Sequence, residues 1–144
     1  MPRATYEDVL NAPENKVAEI LNEPELHFGE HVVVPDIAGW RRERMPAIPD
    51  EAFFSLAPDW VCEVLSPHTA RIDRTRKLRI YAEAGVAYAW LVNPTERTLE
   101  ALKLRDGAWT IVAVFADADT VSAEPFAEVP LELRRLWADP PTAP

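Results

Sequence analysis

Trp60-Val61-Cys62-Glu63-Val64-Leu65 reads as a buried β-strand with an acid near its centre. Alternation along a strand places Val61, Glu63 and Leu65 on one face and Trp60, Cys62 and Val64 on the other, so Glu63 shares its face with apolar neighbours. An ionised carboxylate in a dry interior is strongly disfavoured unless a cation or hydrogen-bond donors meet it. A second acid stands in a similar setting upstream, where Asp36 follows the run Val32-Val33-Val34-Pro35 and precedes Ile37-Ala38. Downstream comes a basic, helix-patterned stretch, Asp73-Arg74-Thr75-Arg76-Lys77-Leu78-Arg79-Ile80-Tyr81. Two acids on apolar strands followed by a basic helix point to a metal site that handles phosphate.

The rest of the chain supplies a frame for that site. Thr5-Tyr6-Glu7-Asp8 has the form of a capping box and predicts a short helix to about Asn11. Val17 to Leu21 predicts a first strand. Leu26 to Gly39 predicts a longer one, entered through a hairpin or bulge near Gly29, with its three valines buried on both faces. Residues 41–58, interrupted by Pro46, Pro49 and Pro58, predict a loop with at most a helical turn around Asp50 to Leu56. After the Asp59–Leu65 strand, a helix runs from Asp73, a good N-cap, to Gly85, a good C′ residue, with Leu78, Tyr81, Ala82 and Ala84 inward. Ala87 to Val92 predicts a buried strand, and Leu99–Leu104 and Trp109–Phe115 flank the hairpin signal Asp106-Gly107. A short closing helix is expected over Leu131 to Trp137. This order of elements predicts an α/β or α+β fold, a mixed sheet with helices packed on it.

The 144 residues suit a single domain, expected over 1–137, with 138–144 a disordered tail. No apolar run approaches the ~20 residues of a membrane span, and the first residues lack the apolar segment of a signal peptide. The expected location is cytoplasmic. The single cysteine, Cys62, falls in the apolar strand and reads as a small buried hydrophobe. A formal charge of −9 excludes a protein that coats nucleic acid nonspecifically. Many of the cations nevertheless gather in two clusters, Arg41-Arg42-Glu43-Arg44 and Arg71 through Arg79, so an acidic body can still present a local positive surface. The tryptophans read as core or sheet-edge packing, since none lies inside a basic cluster. His27, His31 and His68 form no convincing ligand set.

Mg²⁺ takes oxygen ligands, commonly one or two carboxylates completed by water and phosphate oxygens. Asp36 and Glu63 supply such carboxylates, and the backbone carbonyl of Val64 is a plausible third donor. Lys77 lies at the border of the helix's inward stripe, aimed better at the carboxylates than any other cation, where it would orient water and steady transition-state charge. Arg76 and Arg79, on the other side with Glu83, suit a DNA backbone. Each residue also has a plainer reading. Asp36 after Pro35 can end a strand and cap a turn, Glu63 can pair with Arg74 or Arg71 without chemistry, and Lys77 can be a surface lysine with a buried stem.

With these residues on the page, the chain resembles the Uma2 family of restriction-endonuclease-like proteins, within the PD-(D/E)xK nuclease superfamily. The matching segments are Thr5-Tyr6-Glu7-Asp8, Val34-Pro35-Asp36-Ile37, Val61-Cys62-Glu63-Val64-Leu65-Ser66-Pro67 with Thr69, Asp73-Arg74 with Lys77-Leu78 and Tyr81 to Val86, and Trp90-Leu91-Val92-Asn93-Pro94. The resemblance implies a restriction-endonuclease-like core, DNA as substrate and Mg²⁺, or Mn²⁺, as cofactor. It implies that Asp36 and Glu63 are the metal-binding acids and that Lys77 is a lysine relocated from the place held here by Leu65. It also implies a role for Glu19, in Val17-Ala18-Glu19-Ile20, as a further ligand or water-positioning group. This chain departs from the family in running almost directly from its first strand into the segment ending at Asp36, a shortened N-terminal part. That shortening predicts a sheet face short of cover, and hence either a homodimer that buries it or a marginal fold.

Three readings follow. The leading one is a Mg²⁺-dependent endonuclease acting on DNA phosphodiesters. The alternative is a catalytically inactive nuclease-fold protein that binds DNA or serves as a scaffold. The third is a structural domain in which arginine neutralises the acidic pair.

Overall fold

The protein is described by a computed structural model over residues 18–67 and 73–137. The expected helix at Thr5–Asn11, the tail 138–144, and Arg71, His68 and Thr69 lie outside these residues. Six strands form one mixed sheet in the order β1-β4-β5-β6-β7-β8, comprising β1 (Ala18–Asn22), β4 (Ile37–Arg41), β5 (Trp60–Val64), β6 (Tyr88–Asn93), β7 (Thr98–Arg105) and β8 (Ala108–Ala116). Only β5 and β6 run parallel within this sheet. A parallel pair cannot be joined by a tight turn and needs a crossover. Helix α1 (Leu78–Ala84) lies in that crossover, preceded by a π-helical turn at Asp73–Lys77. The expected continuous helix is therefore two segments of different pitch, ending as expected at Gly85 in the left-handed conformation (φ 82°).

Both sheet faces are covered. On one face Trp60, Cys62, Trp90, Val92, Leu99 and Ala101 pack against Val121, Ala123, Phe126, Leu133 and Leu136 from the C-terminal segment. On the other, Ala38, Trp40, Val61, Leu65, Ala89 and Leu91 meet Ile80, Tyr81 and Val86 around α1, with Leu26, Val33 and Met45 extending the cluster. The alternation expected for β5 thus assigns its side chains correctly. Among the described residues, the chain's own last segment covers the face that carries Trp60 and Trp90, so the centre of the sheet does not show the bare face from which a homodimer was expected.

Two local expectations change. Leu26 to Gly39 is not one strand. It is the hairpin β2 (Leu26–Phe28) and β3 (His31–Val33), turning at Gly29, and then β4 after a break at Pro35. Pro35 has no N–H for a ladder. The valines accordingly alternate: Val33 is 2% exposed, whereas Val32 and Val34 are 49% and 41% exposed. Residues 41–58 form the expected loop, without a helical turn, and Phe54 bridges to Leu26. The expected closing helix is the short strand β10 (Leu131–Glu132), paired with β9 (Thr120–Val121), followed by a 3₁₀ segment at Leu133–Trp137. The Asp106-Gly107 hairpin forms, with φ of 49° and 79° at its two central residues, as a type I′ turn requires. No helix among the described residues is long and apolar enough to cross a membrane.

Candidate active site

Antiparallel pairing of Ile37 with Cys62 brings Asp36, just ahead of β4, beside Glu63 near the end of β5. Asp36 is half-buried and its Oδ2 accepts a hydrogen bond from the Val64 N–H at 2.6 Å. Glu63 is 3% exposed, the one charged or polar residue buried among the described residues. Its Oε2 accepts from the Tyr81 hydroxyl, and its Oε1 lies 3.3 Å from the Lys77 ammonium. Lys77 also donates to the carbonyl of Val34 at 2.9 Å, tying the crossover to the chain just before Asp36.

The helix is positioned by its other contacts. The Trp109 indole N–H donates to the Leu78 carbonyl at 2.8 Å, and Arg74 pairs with Glu100 at 3.2 Å. These attach the crossover to β7 and β8 and leave Lys77 and Tyr81, four residues apart and thus on one side of the helix, facing Glu63. Arg74 is committed to Glu100, so it is not the partner that neutralises Glu63.

Burial pushes the Glu63 carboxyl up to about 7, against the opposing pull of Lys77 and of the Tyr81 hydrogen bond, with nearby Asp36 pushing the same way as burial. Burial also raises Asp36, opposed by the Val64 N–H and by Lys77. A buried and a half-buried acid sharing one ammonium retain, when both are ionised, a negative balance that a hard cation would offset. Among the described residues no three His, Cys, Asp or Glu side chains gather as a ligand set. The donors are thus two carboxylates, which fits an ion content to complete its shell with water, carbonyl or phosphate oxygens. It does not fit a closed structural zinc site.

Of the residues singled out from the sequence, Asp36, Glu63, Val64 and Lys77 are brought together. Glu19 is not. It stands opposite Trp40 in β1, four register positions from the Asp36 end of β4, and its Oε1 is 3.4 Å from Arg42. That offset is roughly 13 Å along a strand. Tyr81 was legible only as an inward-facing helix residue; the signal for its contact is that a buried tyrosine hydroxyl needs a partner and that Lys77 lies one turn before it.

The family model for Uma2, described as "Putative restriction endonuclease", matches residues 7–134. The chain belongs to the Uma2 family. Its fold is that of a nuclease: the crystal structure of a "putative nuclease" from Anabaena variabilis ATCC 29413 superposes with a TM-score of 0.75 at 25% identity, over 94% of this chain and 79% of that one. Part of the Anabaena chain lies outside the superposition with this Uma2 chain. No curated protein matches the sequence.

Proposed function

We propose that this Uma2 protein is a Mg²⁺-dependent endonuclease that hydrolyses DNA phosphodiester bonds in the cytoplasm. The observation that carries the proposal is the convergence of Asp36 and Glu63 beside the Lys77 ammonium. Asp36 and Glu63 would hold the ion. The Val64 carbonyl would assist, since a strand residue projects its N–H and C=O toward the same neighbour and the Val64 N–H already meets Asp36. When bound, the ion would lower the pKa of a water and offset charge on a phosphoryl oxygen. Tyr81 fixes one oxygen of Glu63 and so directs the other toward Lys77. Lys77 donates protons in hydrogen bonds at Nζ, where it can orient a water and stabilise an oxyanion. Arg76 and Arg79 are exposed on the same crossover and suit phosphate contacts. Glu19, paired with Arg42 away from this group, takes no part in the proposal.

The formal charge of −9 favours a second reading, a catalytically inactive family member that binds DNA or serves as a scaffold without cutting it. The expected homodimer finds no support in a bare face at the centre of the sheet among the described residues.

Melting curves and a nicking assay test the proposal together. Mg²⁺ or Mn²⁺ is expected to raise the melting temperature, and Asp36→Ala and Glu63→Ala are each expected to abolish that rise. Supercoiled plasmid should be nicked with Mn²⁺ by the wild type, while Lys77→Ala loses nicking and keeps the metal-induced rise. Intact plasmid beside a clear thermal response would select the inactive reading. No thermal response at all would leave a structural acid pair.

A further inference from the structure

Each carboxylate of the acid pair has one oxygen engaged by a donor that the fold holds in place. For Asp36 the donor is the Val64 N–H, which meets Oδ2 at 2.6 Å. For Glu63 it is the Tyr81 hydroxyl, on Oε2. Tyr81 is fully buried, in one core cluster with Val61, Leu65, Val86 and Leu91, and its carbonyl accepts from the Val86 N–H at 3.0 Å. Close packing of that kind leaves the ring no room to carry its hydroxyl elsewhere. The second oxygen of Glu63 is held differently. Oε1 lies 3.3 Å from the Lys77 ammonium, beyond the ordinary range of an N–H···O bond, while Lys77 makes its closer bond to the Val34 carbonyl at 2.9 Å. Oε1 is thus the oxygen of Glu63 that can exchange its partner for a cation.

We propose that Tyr81 is a positioning residue that selects the cation: by keeping Oε2, it limits Glu63 to one ligating oxygen and so favours Mg²⁺ over Ca²⁺. The proposal rests on the reading of Asp36 and Glu63 as metal ligands and adds the choice of ion. The two ions ask different things of a carboxylate. Ca²⁺ gathers roughly 6–8 oxygens and readily takes both oxygens of one carboxylate, whereas Mg²⁺ needs an octahedral shell and keeps several waters. Single oxygens from Asp36 and Glu63, with the Val64 carbonyl, suit the second demand and fall short of the first. Carboxylates that ligate metals are themselves hydrogen-bonded by groups that orient them, which is the arrangement that Tyr81 and the Val64 N–H impose here. Both donors are neutral, so they hold the acids without repelling the ion as a second ammonium or guanidinium would.

Competition of Mg²⁺ and of Ca²⁺ against Mn²⁺ on the full chain tests this, read by the electron paramagnetic resonance of free Mn²⁺ and without reference to cutting. The wild type is expected to bind Mg²⁺ more tightly than Ca²⁺. Tyr81→Phe removes the hydroxyl and keeps the ring, so Oε2 becomes available to the larger ion, and the ratio of the two affinities should move toward Ca²⁺ by about tenfold. A tyrosine that serves packing alone would change both affinities together. An unchanged ratio in Tyr81→Phe therefore overturns the proposal and leaves the acid pair standing as a metal site, as does a wild type that prefers Ca²⁺. A wild type that binds none of the three ions overturns the metal reading itself, and this proposal with it. If Tyr81→Phe does not fold, infrared difference spectra of the Ca²⁺-saturated wild type decide. The carboxylate bands that Glu63→Gln removes should show the wide splitting of ligation through one oxygen, and the narrow splitting of ligation through two would overturn the proposal.

Discussion

Glu63 is held by groups that oppose one another: burial and Asp36 favour its neutral form, Lys77 and Tyr81 its charged one. Burial wins, and the carboxyl titrates at about 7 instead of 4.5. The folded chain then binds more protons than the unfolded chain between those values, so stability falls as pH rises through that window. Glu63 imposes no penalty below pH 4.5 and its full penalty above about 7, on the order of 3 kcal/mol. In EDTA, the melting temperature of Glu63→Gln minus that of the wild type is therefore expected to grow from pH 4.5 to pH 8. A gap that stays constant with pH would mean that Glu63 is already ionised at the acid end. Added Mg²⁺ should narrow the gap at pH 8, since the proposed ion favours the charged carboxylate.

The crossover is the element that assembles the site, and it is short. Seven α-helical residues have little stability of their own, so the helix depends on its packing and its stop. Gly85 ends it with φ at +82°, its N–H bonded to the Ala82 carbonyl and the next N–H, of Val86, to Tyr81. A Cβ there would meet nothing within 4 Å, so the difficulty of another residue is conformational only. Gly85→Ala is expected to lower stability by about 1 kcal/mol, and Gly85→Asn by less, because Asn tolerates the left-handed region better than Ala. Urea unfolding measures both. Equal losses for Ala and Asn would point to a clash instead of a backbone preference.

At the scale of the whole molecule, the C-terminal segment covers the sheet face that carries Trp60 and Trp90. Phe126 packs edge-on to Trp60 and Trp90, with ring centroids 4.8 and 5.6 Å away. Trp60 and Trp90 are themselves edge-to-face at 5.3 Å. Truncating so central a ring leaves a cavity in a packed aromatic cluster, and Phe126→Ala is expected to destabilise the fold by about 3–5 kcal/mol. Tryptophan fluorescence during urea unfolding would report this, with a red shift in the native baseline as water reaches the two indoles. A loss below about 1 kcal/mol would show that the sheet face is held without this segment.

The strand alternation around Glu63, the type I′ hairpin, the left-handed stop at Gly85 and the general α+β order follow from the sequence by itself, because each depends on neighbours a few residues apart. The nomination of Asp36, Glu63 and Lys77 was also local, resting on acids in apolar strands and a cation on the next helix. Tertiary structure alone decided what those residues touch. The Tyr81 contact to Glu63, the commitment of Arg74 to Glu100 and the separation of Glu19 from the acid pair are set by β-pairing and helix placement across long stretches of chain. The same holds for the valine run: three consecutive valines look alike as sequence, but Pro35 interrupts the ladder and packing buries only the middle one. Cover for the second sheet face came from residues 117–137, whose short, irregular segments have no periodicity to reveal which surface they will join.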